Sequence, residues 1–188
     1  MVISPTYSIF SCSCRENGNT SFCANLIQQH FSVNEIFYPC KTSLQHCIGC
    51  GYCDTHKGQC IHTTKHIDTV YHLYQKIFQA QHVIFIIPIY FYHVPAPLKA
   101  FIDRSQAWFS TPQEEKPAQH TQVKIIFIGA REKGEKLFEG AYLSMKYAML
   151  SIGAKIHTPL NLYGLDNKTD LQNNIDKQNQ IIEYLKQC

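Results

Sequence analysis

Four cysteines stand close together in the stretch CIGCGYCDTHKGQC, at Cys47, Cys50, Cys53 and Cys60. Three thiolates with two-residue gaps suit a cuboidal iron-sulfur cluster, because each gap brings the next sulfur to a neighbouring iron. Zinc is an alternative, although four-cysteine zinc sites usually consist of two C-x2-C pairs set further apart. Free thiols or a labile disulfide are the third interpretation. The spacing predicts metal or redox chemistry and leaves these three interpretations open.

A second candidate site is the stretch SCSCRENGNT, residues 11–20, which precedes a predicted helix. A helix N-terminus attracts anions through its free N–H groups, and Arg15 adds a planar fork suited to phosphate. The stretch matches neither GxxxxGK[ST] nor GxGxxG, which disfavours a nucleoside triphosphate site and the usual dinucleotide site. The alternative is a simple turn and helix cap formed by Asn17, Gly18, Asn19 and Thr20. The loop predicts a phosphate site or, failing that, a turn.

Aromatic residues crowd a third loop, in the stretch PIYFYHVPAPLKAFIDR that begins at Pro88. Aromatic and apolar side chains at a turn can form a flat wall for a planar ligand, with backbone donors and acceptors at its edge. The alternative is that the aromatic side chains belong to the core or to an oligomer interface. Lys99, Asp103 and Arg104 lie further along, at spacings that indicate helix surface and packing rather than chemistry.

The stretch GAREKGEK, residues 129–136, is the fourth loop of interest and follows another apolar run. Gly129 and Ala130 permit close approach of the backbone to a ligand. Arg131 adds a cation suited to an anionic group of such a ligand. The alternative interpretation is an ordinary charged loop.

The elements that must position these loops follow from the hydrophobic pattern. Five apolar runs predict strands, at residues 7–10, 35–38, 83–89, 123–128 and 155–162. Helical periodicity follows each run, for example from Ile67 to Phe78 and from Phe138 to Met149. Alternating strands and helices predict an α/β fold with a parallel sheet and helices on both faces. Ligands in such a fold bind beyond the carboxyl ends of the strands, where all four loops lie.

Composition narrows the class of protein. A chain of 188 residues that is 45% hydrophobic suits one domain, predicted to span residues 1–188. The net charge of +3 is spread along the chain, so neither a nucleic-acid partner nor a membrane partner is expected. The N-terminus does not resemble a signal peptide, and the longest apolar run is about half a membrane span. We therefore expect a soluble, cytoplasmic protein, in which nine cysteines favour metal or redox chemistry over structural disulfides.

Taken together, the stretches CSCRENGNT, CIGCGYC and IIPIYFYHVPAPLKAFIDR resemble the NAD(P)H-dependent FMN reductase and iron-sulfur flavoprotein family. The resemblance covers nearly the whole chain. It implies a flavodoxin-like three-layer sandwich whose five-stranded parallel sheet has the order 2-1-3-4-5. It also implies FMN as cofactor, NAD(P)H as co-substrate and a homodimer or tetramer.

The resemblance assigns roles to individual positions. The implied ligands of the FMN phosphate are Ser13, Arg15, Asn19 and Thr20. The implied lining of the flavin consists of Pro88, Ile89, Tyr90 and Phe91, with Gly129 and Ala130 on a second loop. The implied ligands of a [4Fe-4S] cluster are Cys47, Cys50, Cys53 and Cys60.

This chain departs from the family pattern at several positions. Cys12 and Cys14 stand where the family usually has Gly and Pro, and we interpret both as small packing residues with a minor thiol-redox role. After the fourth cysteine of the cluster motif, Thr64 and Lys65 replace the acidic pair that is frequent in the family. The nearby His62 and His66 are alternative metal ligands.

We predict an FMN-dependent oxidoreductase that takes hydride from NAD(P)H and passes electrons to an acceptor, with a [4Fe-4S] cluster as a candidate relay. No catalytic acid, base or nucleophile is required, since the protein places and tunes the flavin. One alternative is an electron carrier without nicotinamide activity. The other is a zinc-binding interaction module on the same scaffold, with a vestigial phosphate loop.

Overall fold

A parallel sheet forms the centre of the computed structural model, which describes residues 5–64 and 68–187. The strands within these ranges are β1 (Tyr7–Ser11), β2 (Val33–Phe37), β3 (His82–Pro88), β4 (Gln122–Ile128), β5 (Lys155–Ile156) and β6 (Leu160–Leu162). Their order is β2-β1-β3-β4-β5, β6 also pairs with β4, and every pairing is parallel. The predicted order 2-1-3-4-5 is therefore confirmed, with a sixth strand added.

The predicted fifth strand, residues 155–162, is two short strands in the structure. β5 pairs with the beginning of β4 at Gln122 and Val123, and β6 pairs with its end from Ile126 to Ile128. The intervening segment contains Pro159, which has no N–H for a sheet hydrogen bond. This interruption of the sheet hydrogen bonding explains why one apolar run forms two strands.

Helices connect the strands. The α-helices of the described ranges are α1 (Asn19–His30), α2 (Tyr52–Thr55), α3 (Thr69–Gln79), α4 (Ala96–Asp103), α5 (Glu139–Ser151) and α6 (Ile175–Lys186). The 3₁₀ turns are Pro39–Lys41, Ile61–Thr63, Arg104–Trp108 and Gln113–Glu115. Two residues for which the sequence made predictions, His66 and Ile67, lie outside the described residues.

Side chains of the central strands alternate between two buried layers, as expected for a sheet covered on both faces. Ile84 and Ile86 of β3 pack in the layer that contains residues of α1 and α6. Phe85 and Ile87 pack in the opposite layer with residues of α3, α4 and α5. The predicted flavodoxin-like three-layer sandwich is confirmed, and all four candidate loops leave its carboxyl edge.

The amino edge of the sheet is closed by a buried lysine. Lys124 of β4 donates from Nζ to the carbonyl oxygens of Tyr184 and Leu185, at 2.9 and 3.3 Å, and to that of Gln187. A cation is favourable there because the C-terminus of a helix carries the negative end of its dipole.

In the part of the chain that the structure describes, no helix has both the length and the apolar character needed to cross a bilayer.

Candidate functional site

The loop between β1 and α1 presents an open helix N-terminus. The buried Ser13 accepts a hydrogen bond on Oγ from the backbone N–H of Arg15, at 3.0 Å, which folds the loop back on itself. Gly18 precedes α1 with φ 154°, a value that favours glycine, and no side chain caps the helix. The first-turn N–H groups of a helix have no partner within the helix. This terminus can therefore bind an anion.

These groups surround a cavity of about 140 Å³ at the carboxyl edge of the sheet. Its lining consists of Ser13, Arg15, Gly18, Asn19, Thr20, Ser21, Pro88, Ile89, Tyr90, Ile128, Ala130, Leu165, Asp166 and Lys168. Eight of the ten positions predicted to bind the cofactor are in this set, and Phe91 and Gly129 are not. We call this space the phosphate-loop cavity.

Asn19 organises one wall of the phosphate-loop cavity through its side chain. Its amide nitrogen donates to the carbonyl oxygens of Leu165 and Asn167, at 3.1 and 2.9 Å. Its amide oxygen accepts from the backbone N–H of Leu171 at 2.9 Å. Because three bonds occupy the side chain, Asn19 is available to an anion through its backbone N–H.

The loop held by Asn19 brings Asp166 and Lys168 to the cavity, two residues that sequence reasoning missed. They lie in a polar stretch without a recognisable motif, far along the chain from the residues they join. The only signal was their position just after the last strand, at the carboxyl edge. Lys168 adds a second cation beside Arg15.

Gly129 has a packing role at the end of β4. Its N–H donates to the carbonyl of Leu162 at 2.8 Å, and its carbonyl accepts from Leu165 at 3.0 Å. A Cβ at this position would lie 2.9 Å from Leu137 Cδ2 and 3.0 Å from Phe138 Cζ. A larger residue would therefore have to displace these two side chains behind the cavity, and the flavin contact predicted for Gly129 stays a prediction.

A tight turn from Tyr90 to His93 forms the aromatic rim of the cavity. Tyr90 and His93 exchange backbone hydrogen bonds of 2.9 and 3.1 Å, and Phe91 and Tyr92 between them have φ 47° and 64°. Bulky residues rarely adopt positive φ, so the turn is strained. Phe91 is 97% exposed, which places a free aromatic ring beside the cavity. The guanidinium of Arg131 donates to Tyr92 Oη and lies over its ring.

The four cysteines of the motif line a second cavity, of about 250 Å³, which we call the cysteine cavity. Burial raises the pKa of Cys53, and the charge of Asp54 raises it further. His62 also lines this cavity, and its Nε2 is buried without a hydrogen-bond partner among the described residues. Sulfur and imidazole donors therefore face one space.

Sharing a cavity is not the same as forming a ligand set. Within residues 5–64 and 68–187, no three His, Cys, Asp or Glu side chains are arranged to hold a metal ion. In this arrangement Cys47, Cys50, Cys53 and Cys60 do not fit a [4Fe-4S] cluster, and no step is assigned to one.

Arg104 holds both ends of the cysteine segment, residues 45–68. Its Nη1 donates to the carbonyl of Gln45 at 3.0 Å and to the carboxylate of Asp68 at 2.7 Å. The two side chains of this ion pair are only 2% and 8% exposed. Sequence reasoning treated Arg104 as helix packing because its partner lies 36 residues away. Lys99 and Asp103 do form an exposed ion pair on α4.

Comparison with known proteins agrees with these features. The family model described as NADPH-dependent FMN reductase matches residues 5–150. A search of curated proteins gave no significant match.

Several solved structures are similar over almost their whole length. An NAD(P)H:quinone oxidoreductase from Methanothermobacter marburgensis has 14% identity and a TM-score of 0.71, covering 98% of this chain and 99% of that one. A Trp repressor binding protein from Bacillus subtilis has 18% identity and a TM-score of 0.64, covering 97% and 98%. An FMN-dependent NADH-azoreductase from Bacillus anthracis, in complex with FMN, has 12% identity and a TM-score of 0.66, covering 96% and 98%. At such low identities, these likenesses establish the fold.

Proposed function

This chain belongs to the family of NADPH-dependent FMN reductases, and we propose that its phosphate-loop cavity holds the phosphate end of FMN. As a member of that family it is an oxidoreductase that uses FMN and a nicotinamide nucleotide. The observation that carries the proposal is the convergence of an uncapped helix N-terminus, Arg15 and Lys168 on one cavity. All three favour an anion.

The residues around the phosphate would act in different ways. Ser13, Thr20 and Ser21 line the cavity with hydroxyl groups, and the start of α1 contributes backbone N–H groups. Arg15 is exposed and can close over a bound phosphate. A cavity of about 140 Å³ encloses a phosphate and part of a ribityl chain rather than the whole of FMN. The ring would therefore lie against the rim.

The rim offers an apolar and aromatic surface for that ring. Pro88, Ile89 and Tyr90 line the cavity at the end of β3, and Phe91 projects into solvent beside them. Ala130 is exposed on the neighbouring loop and has no side chain beyond Cβ to block a planar group. FMN, when bound, supplies the hydride-accepting and electron-donating chemistry. The protein supplies the wall, the orientation and the exclusion of water on one face.

The proposal is tested by anaerobic mixing of the FMN-loaded protein with NADPH and, separately, with NADH. We expect at least one nucleotide to remove the yellow absorbance of oxidised flavin. If neither nucleotide reduces bound FMN while dithionite does, the protein is an electron carrier, and the reductase proposal is wrong.

For the electron acceptor, we propose a planar conjugated compound such as a quinone. Solved structures with this fold include proteins described as quinone oxidoreductases and an azoreductase. The exposed aromatic side chains of Phe91 and Tyr92 suit a flat apolar acceptor. Steady-state turnover with NADPH and either menadione or ferricyanide tests this. A Phe91→Ala variant should lose activity with the quinone and keep it with ferricyanide.

A metal centre in the cysteine cavity stays a prediction. It is supported by the presence of Cys47, Cys50, Cys53 and Cys60 in the lining of one cavity. It is opposed by their positions, because no three of them are arranged to hold a metal ion among the described residues. Anaerobic purification followed by iron, sulfide and zinc assays decides between cluster, zinc and free thiols. Stoichiometric FMN without metal would keep the reductase and discard the metal centre.

We also propose that the chain forms a homodimer through α5. Leu143, Tyr147 and Leu150 are exposed at i, i+4 and i+7, so they form one stripe. Phe109, 68% exposed, lines the same groove as Tyr147. Light scattering should give a dimer for the wild type and a monomer for Tyr147→Lys, whereas Gln180→Lys, at an exposed position of α6 on the opposite face of the sheet, should stay dimeric. A cytoplasmic location likewise remains a prediction.

A further inference from the structure

A group of thiols outside the motif lies beside the phosphate loop. Cys12 and Cys14 follow β1, and Cys40 lies in the 3₁₀ turn that follows β2. β1 and β2 are paired strands, with Phe10 opposite Phe37. The chain therefore delivers all three cysteines to the same end of neighbouring strands.

Cys14 and Cys40 are neighbours but differ in their exposure. The turn Pro39–Lys41, which contains Cys40, packs against β1, and Cys14 is close enough to Cys40 to raise the pKa of its thiol. Cys14 is exposed, whereas Cys40 is buried. Burial, followed by the influence of Cys14, raises the pKa of Cys40 to about 12, so Cys40 keeps its proton. The solvent-facing sulfur is thus the one that an oxidant meets first.

Cys12 is engaged elsewhere. Its Sγ donates a hydrogen bond to the carbonyl oxygen of Phe10 at 3.3 Å, and the residue is completely buried. This bond directs the Cys12 sulfur towards β1 and away from solvent. The reactive pair is therefore Cys14 with Cys40.

We propose that Cys14 and Cys40 form a peroxide-sensitive dithiol that closes reversibly to a disulfide. The Cys14 thiol releases its proton, the thiolate attacks one oxygen of hydrogen peroxide, and the O–O bond breaks. The leaving hydroxide takes up the released proton, so a sulfenic acid and one water result. The Cys40 sulfur then attacks the Cys14 sulfur and gives up its proton as the S–O bond breaks. The leaving hydroxide takes that proton, so a second water leaves as the S–S bond forms. Two thiols lose two electrons, and one peroxide becomes two waters.

A disulfide at this position would restrain the phosphate loop, residues 11–20. Cys14 lies between Ser13 and Arg15, the two residues joined by the hydrogen bond that folds the phosphate loop. A Cys14–Cys40 bond would tie that loop covalently to the turn at Pro39–Lys41. The proposal concerns the apoprotein as well as the loaded protein, so it does not rest on FMN binding.

The test is disulfide mapping after stoichiometric hydrogen peroxide and alkylation of the remaining thiols. Trypsin separates residues 1–15 from residues 16–41, and we expect these two peptides to be joined, and released by dithiothreitol. Each peptide holds a second cysteine, so a Cys12→Ala/Cys23→Ala variant, which must still cross-link, assigns the bond. A cross-link from residues 1–15 to residues 42–57 or 58–65 would overturn the proposal, as would no cross-link.

Variants of the pair test the order of the two steps. In Cys40→Ser, dimedone should label Cys14, because its sulfenic acid has no partner. In Cys14→Ser, the buried Cys40 should stay unlabelled. Labelling of Cys40 in that variant to the extent seen for Cys14 would contradict the assigned roles. Circular dichroism before oxidation establishes that both variants are folded.

Discussion

The two cavities at the carboxyl edge of the sheet are built in different ways. The phosphate-loop cavity is formed where buried strands end, at Ser13 after β1, Pro88 in β3 and Ile128 in β4. The cysteine cavity lies in a segment of short turns between β2 and α3, whose two ends are both held by Arg104. One site is therefore preorganised by the strands of the core, whereas the other is tied to the core by a few contacts. These are the buried Arg104–Asp68 pair, the bond from Arg104 to Gln45, and the hydrogen bond from the Gly58 N–H to the Ala107 carbonyl.

The largest effect should come from removing the charge of Asp68. Asp68→Asn keeps a side chain that can cap α3 but leaves the Arg104 guanidinium buried without its carboxylate. Breaking a buried pair in this way costs about 3–5 kcal/mol. We expect that loss in the free energy of unfolding from urea titration, with faster proteolysis in residues 45–64.

The matched control is Lys99→Met, which removes an exposed ion pair with Asp103. Exposed pairs contribute about 0–1 kcal/mol, so this variant should unfold nearly as the wild type does. Equal losses in the two variants would show that Arg104 does not hold the cysteine segment as described.

A smaller loss should follow from adding one methyl group behind the phosphate-loop cavity. In Gly129→Ala, the new Cβ would lie 2.9 Å from Leu137 Cδ2 and 3.0 Å from Phe138 Cζ. Overpacking of this kind costs about 1–3 kcal/mol. The urea midpoint should fall, whereas Gly140→Ala on α5, where the nearest atom is 3.4 Å away, should leave the midpoint unchanged or raise it.

The next effect concerns binding rather than folding. Arg15→Ala should weaken FMN binding about tenfold, or about 1.4 kcal/mol, because an exposed guanidinium no longer pairs with the phosphate. Quenching of FMN fluorescence measures the affinity. Lys133→Ala, an exposed charge that does not line the cavity, is the control and should bind FMN normally. If both variants bind FMN equally well, Arg15 does not pair with the FMN phosphate.

The smallest effect lies at the opposite, amino edge of the sheet. Burial lowers the pKa of His82 and of His157 from 6.5, and the charge of Lys124 lowers both further. Below a pH of about 6.5 the unfolded chain therefore binds more protons than the folded one, and stability is lost as the pH falls through the lowered folded values.

Urea midpoints between pH of about 8 and about 5 should record this decline. A His82→Gln/His157→Gln variant should show a shallower decline. FMN affinity should not change with these substitutions, because both histidines are at the other edge from the phosphate-loop cavity. An unaltered slope would mean that other groups set the pH dependence.

Much of the fold could be predicted because the central strands are continuous apolar runs. The predicted strand at residues 123–128 differs from β4 by one residue, and the strand at residues 83–89 is shifted by one from β3. The fifth strand was wrong as a single element, since Pro159 breaks its hydrogen bonding. The single domain predicted for residues 1–188 stays a prediction.

The candidate site was predictable where chemistry lies in a local motif. The loop at residues 11–20 and the turn after Pro88 were found because their residue types are unusual for loops. Asp166 and Lys168 were missed because only the bonds from Asn19 bring them to the cavity. The clamp by Arg104 was missed for the same reason, since Asp68 is distant in sequence.

Whether the phosphate-loop cavity recognises the phosphate of FMN is tested most directly by titrating the apoprotein with FMN and with riboflavin. The two ligands share the isoalloxazine ring and the ribityl chain, and only FMN carries the phosphate. With an open helix N-terminus, Arg15 and Lys168 at the cavity, we predict that FMN binds at least about 100-fold more tightly. Equal affinity for the two ligands would contradict the phosphate site.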